Sequence, residues 1–288
     1  MAQKVVLITG CSSGFGVLAA VEAARRGHQV IATMRNVAKR AALDAAASKA
    51  GVKLDVAVCD VDDAESMHAC VVDILNRYGH IDVLVNNAGF GMGGAVYDLS
   101  MAELRAQMET NFFGAVALTK EVLPAMLQRK SGLIINVTSV AALHSAPGTG
   151  AYNASKRALE GLSEALRFET EPFGVYVTTV LPGVFKTEVF EKRHSAHAAL
   201  SPESPYFALS QQISAFVDDR AANHGEDPKK VADVICNAID ARKPPLQVLV
   251  GVDARVQTWA RKLLPERLWF AIVAKVMGVR EPVGKTPR

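Results

Sequence analysis

One feature restricts this chain more than any other. Short, apolar, β-branched runs alternate with longer stretches of helical spacing along most of its length. The apolar runs are Val5–Ile8, Val30–Thr33, Lys53–Val58, Val83–Val85, Gly132–Val137, Val175–Val180 and Gln247–Val250. The first six are nearly continuous in apolar residues, the pattern of strands buried on both faces. Helical spacing covers Val17–Arg26, Ala38–Ala50, Ala64–Tyr78, Ala102–Arg129, Tyr152–Glu169 and Pro228–Ala241. This order predicts an α/β fold: a doubly wound, mostly parallel sheet with helices on both faces and right-handed crossovers.

No repeat, low-complexity tract or Gly/Ser linker divides the 288 residues, so residues 1–251 read as a single domain. A long insertion follows position 187, and residues 252–288 form a tail. Half of the residues are hydrophobic, enough for a sizeable core, which excludes global disorder. The net charge of +3 is too small to indicate a nucleic-acid partner. Cys11, Cys59, Cys70 and Cys236 form no C-x-x-C pair, so neither a zinc ribbon nor a disulfide framework is expected. Isolated thiols fit a reducing compartment. No signal peptide is visible and no apolar run approaches the ~20 residues that span a bilayer. The expected location is cytoplasmic.

The first run ends in Thr9-Gly10-Cys11-Ser12-Ser13-Gly14-Phe15-Gly16, which opens the first helical stretch. Glycine permits a tight strand-to-helix turn, and a diphosphate approaches backbone closely only where no Cβ intrudes. The helix N-terminus adds free N–H groups and a positive dipole end. Gly10, Ser12, Ser13, Gly14, Phe15 and Gly16 are therefore candidate cofactor contacts. Glycines at 10, 14 and 16 do not match the commoner G-x-G-x-x-G spacing. Cys11 in this turn reads as a space-filling residue.

An acid near the end of the second strand would meet the ribose hydroxyls of NAD. Arg35 stands there instead, and an arginine pairs with a 2′-phosphate. NADP(H) is accordingly expected over NAD(H). Asp60 and Val61 end the third strand, beside an expected adenine. Asn87, Ala88 and Gly89 end the fourth, where small residues admit a ring or ribose. Tyr152 and Lys156 are four apart and share a helix face. An ammonium beside a phenol lowers its pKa, which suits Tyr152 to general acid/base work. Ser139 ends the fifth strand, facing the crevice where ligands of such sheets bind, and can hold a carbonyl oxygen. Asn111 interrupts a helical stretch, an unfavourable place unless it binds something.

Taken together, TGCSSGFG at 9–16, Asp60, NNAG at 86–89, Asn111, Ser139, YNASK at 152–156, and Pro182-Gly183 with Thr187 resemble the short-chain dehydrogenase/reductase family. The ATMR stretch at 32–35 points to its 17β-hydroxysteroid and retinol dehydrogenase-like branch. The resemblance implies a Rossmann-type, seven-stranded sheet and a catalytic set of Asn111, Ser139, Tyr152 and Lys156. In it Tyr152 exchanges a proton with the substrate oxygen, Ser139 orients that oxygen, and Lys156 binds the nicotinamide ribose. Asn111 holds a relay water, and Pro182, Gly183 and Thr187 contact the nicotinamide. It also implies a homodimer or homotetramer formed through the helices at 102–129 and 152–169.

The expected function is an NADP(H)-dependent oxidoreductase that interconverts an apolar alcohol and its ketone or aldehyde by hydride transfer. Its substrate would be steroid- or retinoid-like. An NAD-dependent dehydrogenase, another chemistry in the same fold and a non-catalytic NADP(H)-binding module are the alternatives. By the resemblance, residues 188–225 cover the substrate. His194 and His197 lie three apart there, but no metal site is expected, because no Cys or acid cluster accompanies them. The tail carries eight cations against three acids, with both tryptophans, Trp259 and Trp269. Packing on its own domain or cleft is the first expectation for it, then a subunit interface, then an anionic membrane surface.

Overall fold

The computed structural model describes residues 2–186 and 194–279. Seven strands form its central sheet: β1 (Val5–Ile8), β2 (Gln29–Met34), β3 (Asp55–Val58), β4 (Val83–Asn86), β5 (Gly132–Val137), β6 (Val175–Pro182) and β7 (Gln247–Val250). They lie in the order β3-β2-β1-β4-β5-β6-β7, every pairing parallel. The order reverses between β1 and β4, so a crevice opens there, beyond the C-terminal strand ends.

Both sheet faces are covered, which is why the strands read as unbroken apolar runs. Val6 and Ile8 of β1 pack toward α1 (Gly14–Arg25), α2 (Ala41–Ala50) and α8 (Lys229–Asp240). Val5 and Leu7 face the opposite layer, built on α3 (Ala64–Tyr78) and α5 (Gly114–Arg129). Helix α6 (Gly150–Thr170) follows β5 and carries Tyr152 and Lys156.

Three features depart from the sequence expectation. The stretch expected as one helix over 102–129 consists of α4 (Met101–Met108), a wide π-type turn (Glu109–Phe113) and α5. Asn111 sits in the wide turn, which resolves the oddity of an asparagine in mid-helix. Gly114, which follows, lies so close to Val61 that a Cβ would stand 2.4 Å from its carbonyl oxygen. The second departure is a short parallel pair, Met92–Gly93 with His194–Ser195, outside the main sheet. The insertion then continues into α7 (Phe207–Asp219). The third is the tail, which forms α9 (Val252–Leu263) and α10 (Glu266–Val276), separated at Leu264-Pro265. Its two tryptophans part company: Trp269 is buried and Trp259 exposed. Thr187 and the first residues of the expected 188–225 cover lie outside the described residues.

Candidate active site

The glycine turn and the end of β4 are built as one interlocked unit. Gly10 and Gly14 have φ of +71° and +60°, a region that favours glycine. A Cβ on Gly16 would stand 2.4 Å from the Gly10 carbonyl, and one on Gly10 would stand 2.8 Å from the Ala88 Cα. The Thr9 hydroxyl accepts from the backbone N–H of Asn87 and Ala88, each at 3.0 Å, and the Asn87 amide donates to the Thr9 carbonyl at 2.8 Å. Ser13 precedes α1 in extended backbone and makes no side-chain cap. The first N–H groups of α1 therefore meet a cradle that any side chain would fill. That cradle fits the diphosphate of a dinucleotide. Arg35, just past β2, is exposed and makes no ion pair among the described residues. Asp60, just past β3, accepts from its own turn at Asp62 N–H, 3.2 Å.

The catalytic candidates converge from three elements. Asn111 is buried, and its amide donates to the Phe90 carbonyl (2.9 Å) and the Ser155 hydroxyl (3.0 Å). Its oxygen accepts the Phe90 N–H at 3.0 Å. Both donors are thus spent, leaving one lone pair of Oδ1 for anything further. Lys156 is buried and donates to the Val137 carbonyl at 2.9 Å, using one of three donor positions. A Cβ on Gly89 would stand 3.0 Å from Asn111 Oδ1 and 3.5 Å from Lys156 Nζ, so the Asn87–Gly89 turn borders both groups. Ser139 caps the short helical turn Val140–Ala142, accepting from the Ala141 N–H at 3.1 Å. Its hydroxyl also donates to the Pro182 carbonyl at 3.4 Å.

Burial corrects one electrostatic expectation. It pushes the Tyr152 phenol up from its ordinary value, and the Ser139 hydroxyl opposes that only in part. Lys156 Nζ stands 5.9 Å from the Tyr152 ring centre. Desolvation also acts on the lysine, lowering it to about 8. In both groups the leading cause is desolvation, which disfavours the charged form.

Several supporting residues were not visible as such in the sequence. Asn153 ties the loop after Ser139 to α6 by donating to the carbonyls of Ala141 (2.8 Å) and His144 (3.2 Å). Ser155 donates to the Tyr152 carbonyl at 2.9 Å. Glu160 follows Tyr152 and Lys156 by one more turn. Buried, it accepts from the hydroxyls of Thr138 and Thr179, each at 2.8 Å, and from the Gln247 amide. Its position on the Tyr152–Lys156 face was the available signal. At the end of β6, Gly183 meets the tail: a Cβ there would collide with the Asp253 carboxylate, which accepts the Val184 N–H at 2.9 Å.

Beyond Ser139 and Tyr152 opens a cavity of about 620 Å³, walled mostly by apolar side chains. Met92, Ile213 and Phe216 line it from the loop after β4 and from α7, and Val256, Trp269 and Val273 from the tail. His144 reaches it from the loop after Ser139. Its Nε2 lies 3.0 Å from Gln257 Oε1, its ring meets Trp269 edge-on at 5.6 Å, and burial holds its pKa below the usual value.

Comparison with known proteins places this site in a family. The model for short chain dehydrogenases matches residues 4–198. The 3-ketodihydrosphingosine reductase of Bacteroides thetaiotaomicron is 36% identical over 251 residues, covering 87% of this chain and 89% of that protein. Human retinol dehydrogenase 8 is 39% identical over 256 residues, covering 85% and 81%. A short-chain dehydrogenase from Streptomyces avermitilis superposes with a TM-score of 0.79 at 36% identity, over 96% of this chain and 98% of that one. The chain belongs to the short-chain dehydrogenase family. It is an oxidoreductase of the CH–OH/C=O pair that works with NAD(P). Solved relatives carry either cofactor. A Burkholderia phymatum enzyme is in complex with NAD (25% identity, TM-score 0.77, 91% and 95% covered), and a metagenomic oxidoreductase with NADP (28%, 0.67, 86% and 96%).

Proposed function

We propose that the chain is an NADP(H)-preferring, cytoplasmic oxidoreductase that interconverts a large apolar alcohol, of steroid or retinoid dimensions, with its ketone or aldehyde. The observation that carries this reading is the apolar cavity of about 620 Å³ ending at Ser139 and Tyr152. It falls within the roughly 300–1,000 Å³ of ordinary small-molecule sites. The names of the sphingoid and retinol relatives point to equally apolar substrates.

In this reading the glycine turn and the start of α1 hold the diphosphate, and Arg35 pairs with a 2′-phosphate. Asp60 and Val61 border the adenine, Lys156 holds the ribose, and Pro182 and Gly183 face the nicotinamide, for which Thr187, outside the described residues, is a further candidate. Bound there, the nicotinamide supplies or accepts the hydride. Ser139 donates to the substrate oxygen and steadies the charge that develops on it. Tyr152, held protonated by burial, delivers a proton to that oxygen during reduction and takes it back during oxidation. The ammonium of Lys156 favours the phenolate left behind. A water reaching Asn111 meets only an acceptor, so any relay runs by donation to Oδ1. Four buried free thiols support the cytoplasmic placement. Self-association through α4–α5 and α6 agrees with exposed Phe113 and Phe168 there.

The test is NADPH consumption against small aldehydes, cyclic ketones, quinones, retinal and keto-steroids, with Tyr152→Phe beside the wild type. Turnover of apolar carbonyls that disappears in Tyr152→Phe is the expected result. Cofactor binding with no turnover of any carbonyl or alcohol would favour a non-catalytic module instead.

A further inference from the structure

The outer face of the tail has no use in the chemistry above. Val252, Val256, Trp259 and Leu263 recur at helical spacing along α9, yet they are 67%, 60%, 66% and 75% exposed. Such spacing normally marks the buried stripe of a helix. On α10 the stripe continues through exposed Leu268, Ile272 and Val276. Contiguous exposed apolar surface of this kind marks an interaction site.

Charge indicates the occupant. Arg255 and Lys262 flank Trp259 at i−4 and i+3, and Arg267 and Lys275 lie on α10. All four are exposed, and none forms an ion pair among the described residues. The two acids of these helices do not offset them: Asp253 is turned inward to the Val184 N–H, and Glu266 stands alone. A second copy of this chain is a poor occupant, because a two-fold interface would pair this cationic patch with itself and bring no acids to offset it. An anionic lipid surface satisfies both features: acyl chains take the apolar stripe, and headgroups take long cations that reach out from its edge. Tryptophan suits the boundary between the two.

The patch is also continuous with the cavity. Val256, Ile272 and Val276 are exposed and yet line it. We propose that α9 and α10 form a docking face for an anionic lipid surface, which sets the mouth of the cavity against the bilayer so that an apolar substrate enters from the membrane. The entry step rests on the apolar-substrate reading above; the docking step does not.

Vesicle flotation of the full chain tests it, with pure phosphatidylcholine compared with a phosphatidylglycerol–phosphatidylcholine mixture at low and high salt. The wild type floats with the anionic vesicles at low salt and is released by salt. The Arg255→Gln/Lys262→Gln variant binds about 25-fold more weakly, since each cation near an anionic surface contributes roughly fivefold. Trp259→Glu/Leu263→Glu stays in solution. Both variants keep the wild-type melting temperature and turnover of a short, water-soluble ketone, while turnover of a long-chain aldehyde dissolved in vesicles falls. No flotation at low salt, or variants that float like the wild type, would overturn the proposal. So would a wild-type dimer that Trp259→Glu/Leu263→Glu converts to monomer, which gives the face to a second copy. If the wild type floats but reduces no carbonyl, the docking stands and the functional reading falls.

Discussion

The two sides of the cleft are made from different material. The proposed cofactor side is mostly backbone: at Gly10 and Gly16 a Cβ would collide with Ala88, the Gly10 carbonyl or the Asn87 amide, within turns a few residues long. The proposed substrate side is side chain: Met92, Ile213 and Trp269 line the cavity from three segments far apart in sequence. A site made of backbone admits one shape and is written locally. A site made of side chains from distant segments can change its shape while the chemistry stays fixed. In the proposed reading, the difference puts specificity in α7 and the tail rather than in the sheet.

The largest expected effect breaks the chemistry shared by both sides. Tyr152→Phe lowers kcat by about 10²–10⁴-fold and leaves NADPH affinity unchanged, as steady-state kinetics and fluorescence titration would record. Trp269→Ala strikes the side-chain wall alone. It costs about 3 kcal/mol in urea unfolding and raises KM for bulky carbonyls more than for small ones. Gly16→Ala strikes the backbone cradle. Overpacking against the Gly10 carbonyl costs roughly 1–3 kcal/mol and weakens NADPH binding with all substrates alike.

A subtler effect is carried by Lys156. Its folded pKa is lowered to about 8, so below that pH the buried ammonium costs stability. Stability therefore rises between about 8 and the ordinary lysine value, by at most about 3 kcal/mol. Lys156→Met flattens that rise in pH-dependent denaturation curves. In the wild type, kcat for reduction falls as pH passes about 8, because the ammonium that favours the Tyr152 phenolate is lost.

The same division decides what the sequence made legible. Helix α3 matches its expected bounds, and the structure shows what ends it: Asp63 accepts from the Glu65 N–H at its start and Gly79 adopts φ +77° at its end. The strands were read because burial on both faces leaves them uniformly apolar. Tyr152, Lys156 and Ser139 are candidates from a one-turn spacing and a strand end, both local signals. Glu160 was missed although it lies one turn further along the same face, because its partners Thr138, Thr179 and Gln247 come from the end of β5, the middle of β6 and the start of β7. The upward shift of Tyr152 was missed for a related reason: spacing reports a neighbouring charge and says nothing about desolvation. Helices α9 and α10 carry readable apolar spacing, but their place over the cavity follows from packing alone.

The most direct measurement is kcat/KM for a series of ketones of increasing alkyl length, with the dissociation constant of NADPH measured in parallel. If the cleft is divided as described, kcat/KM rises by up to about fourfold per methylene until the cavity is filled, and NADPH affinity stays constant. A flat or falling series, with small polar carbonyls turned over best, would contradict the account.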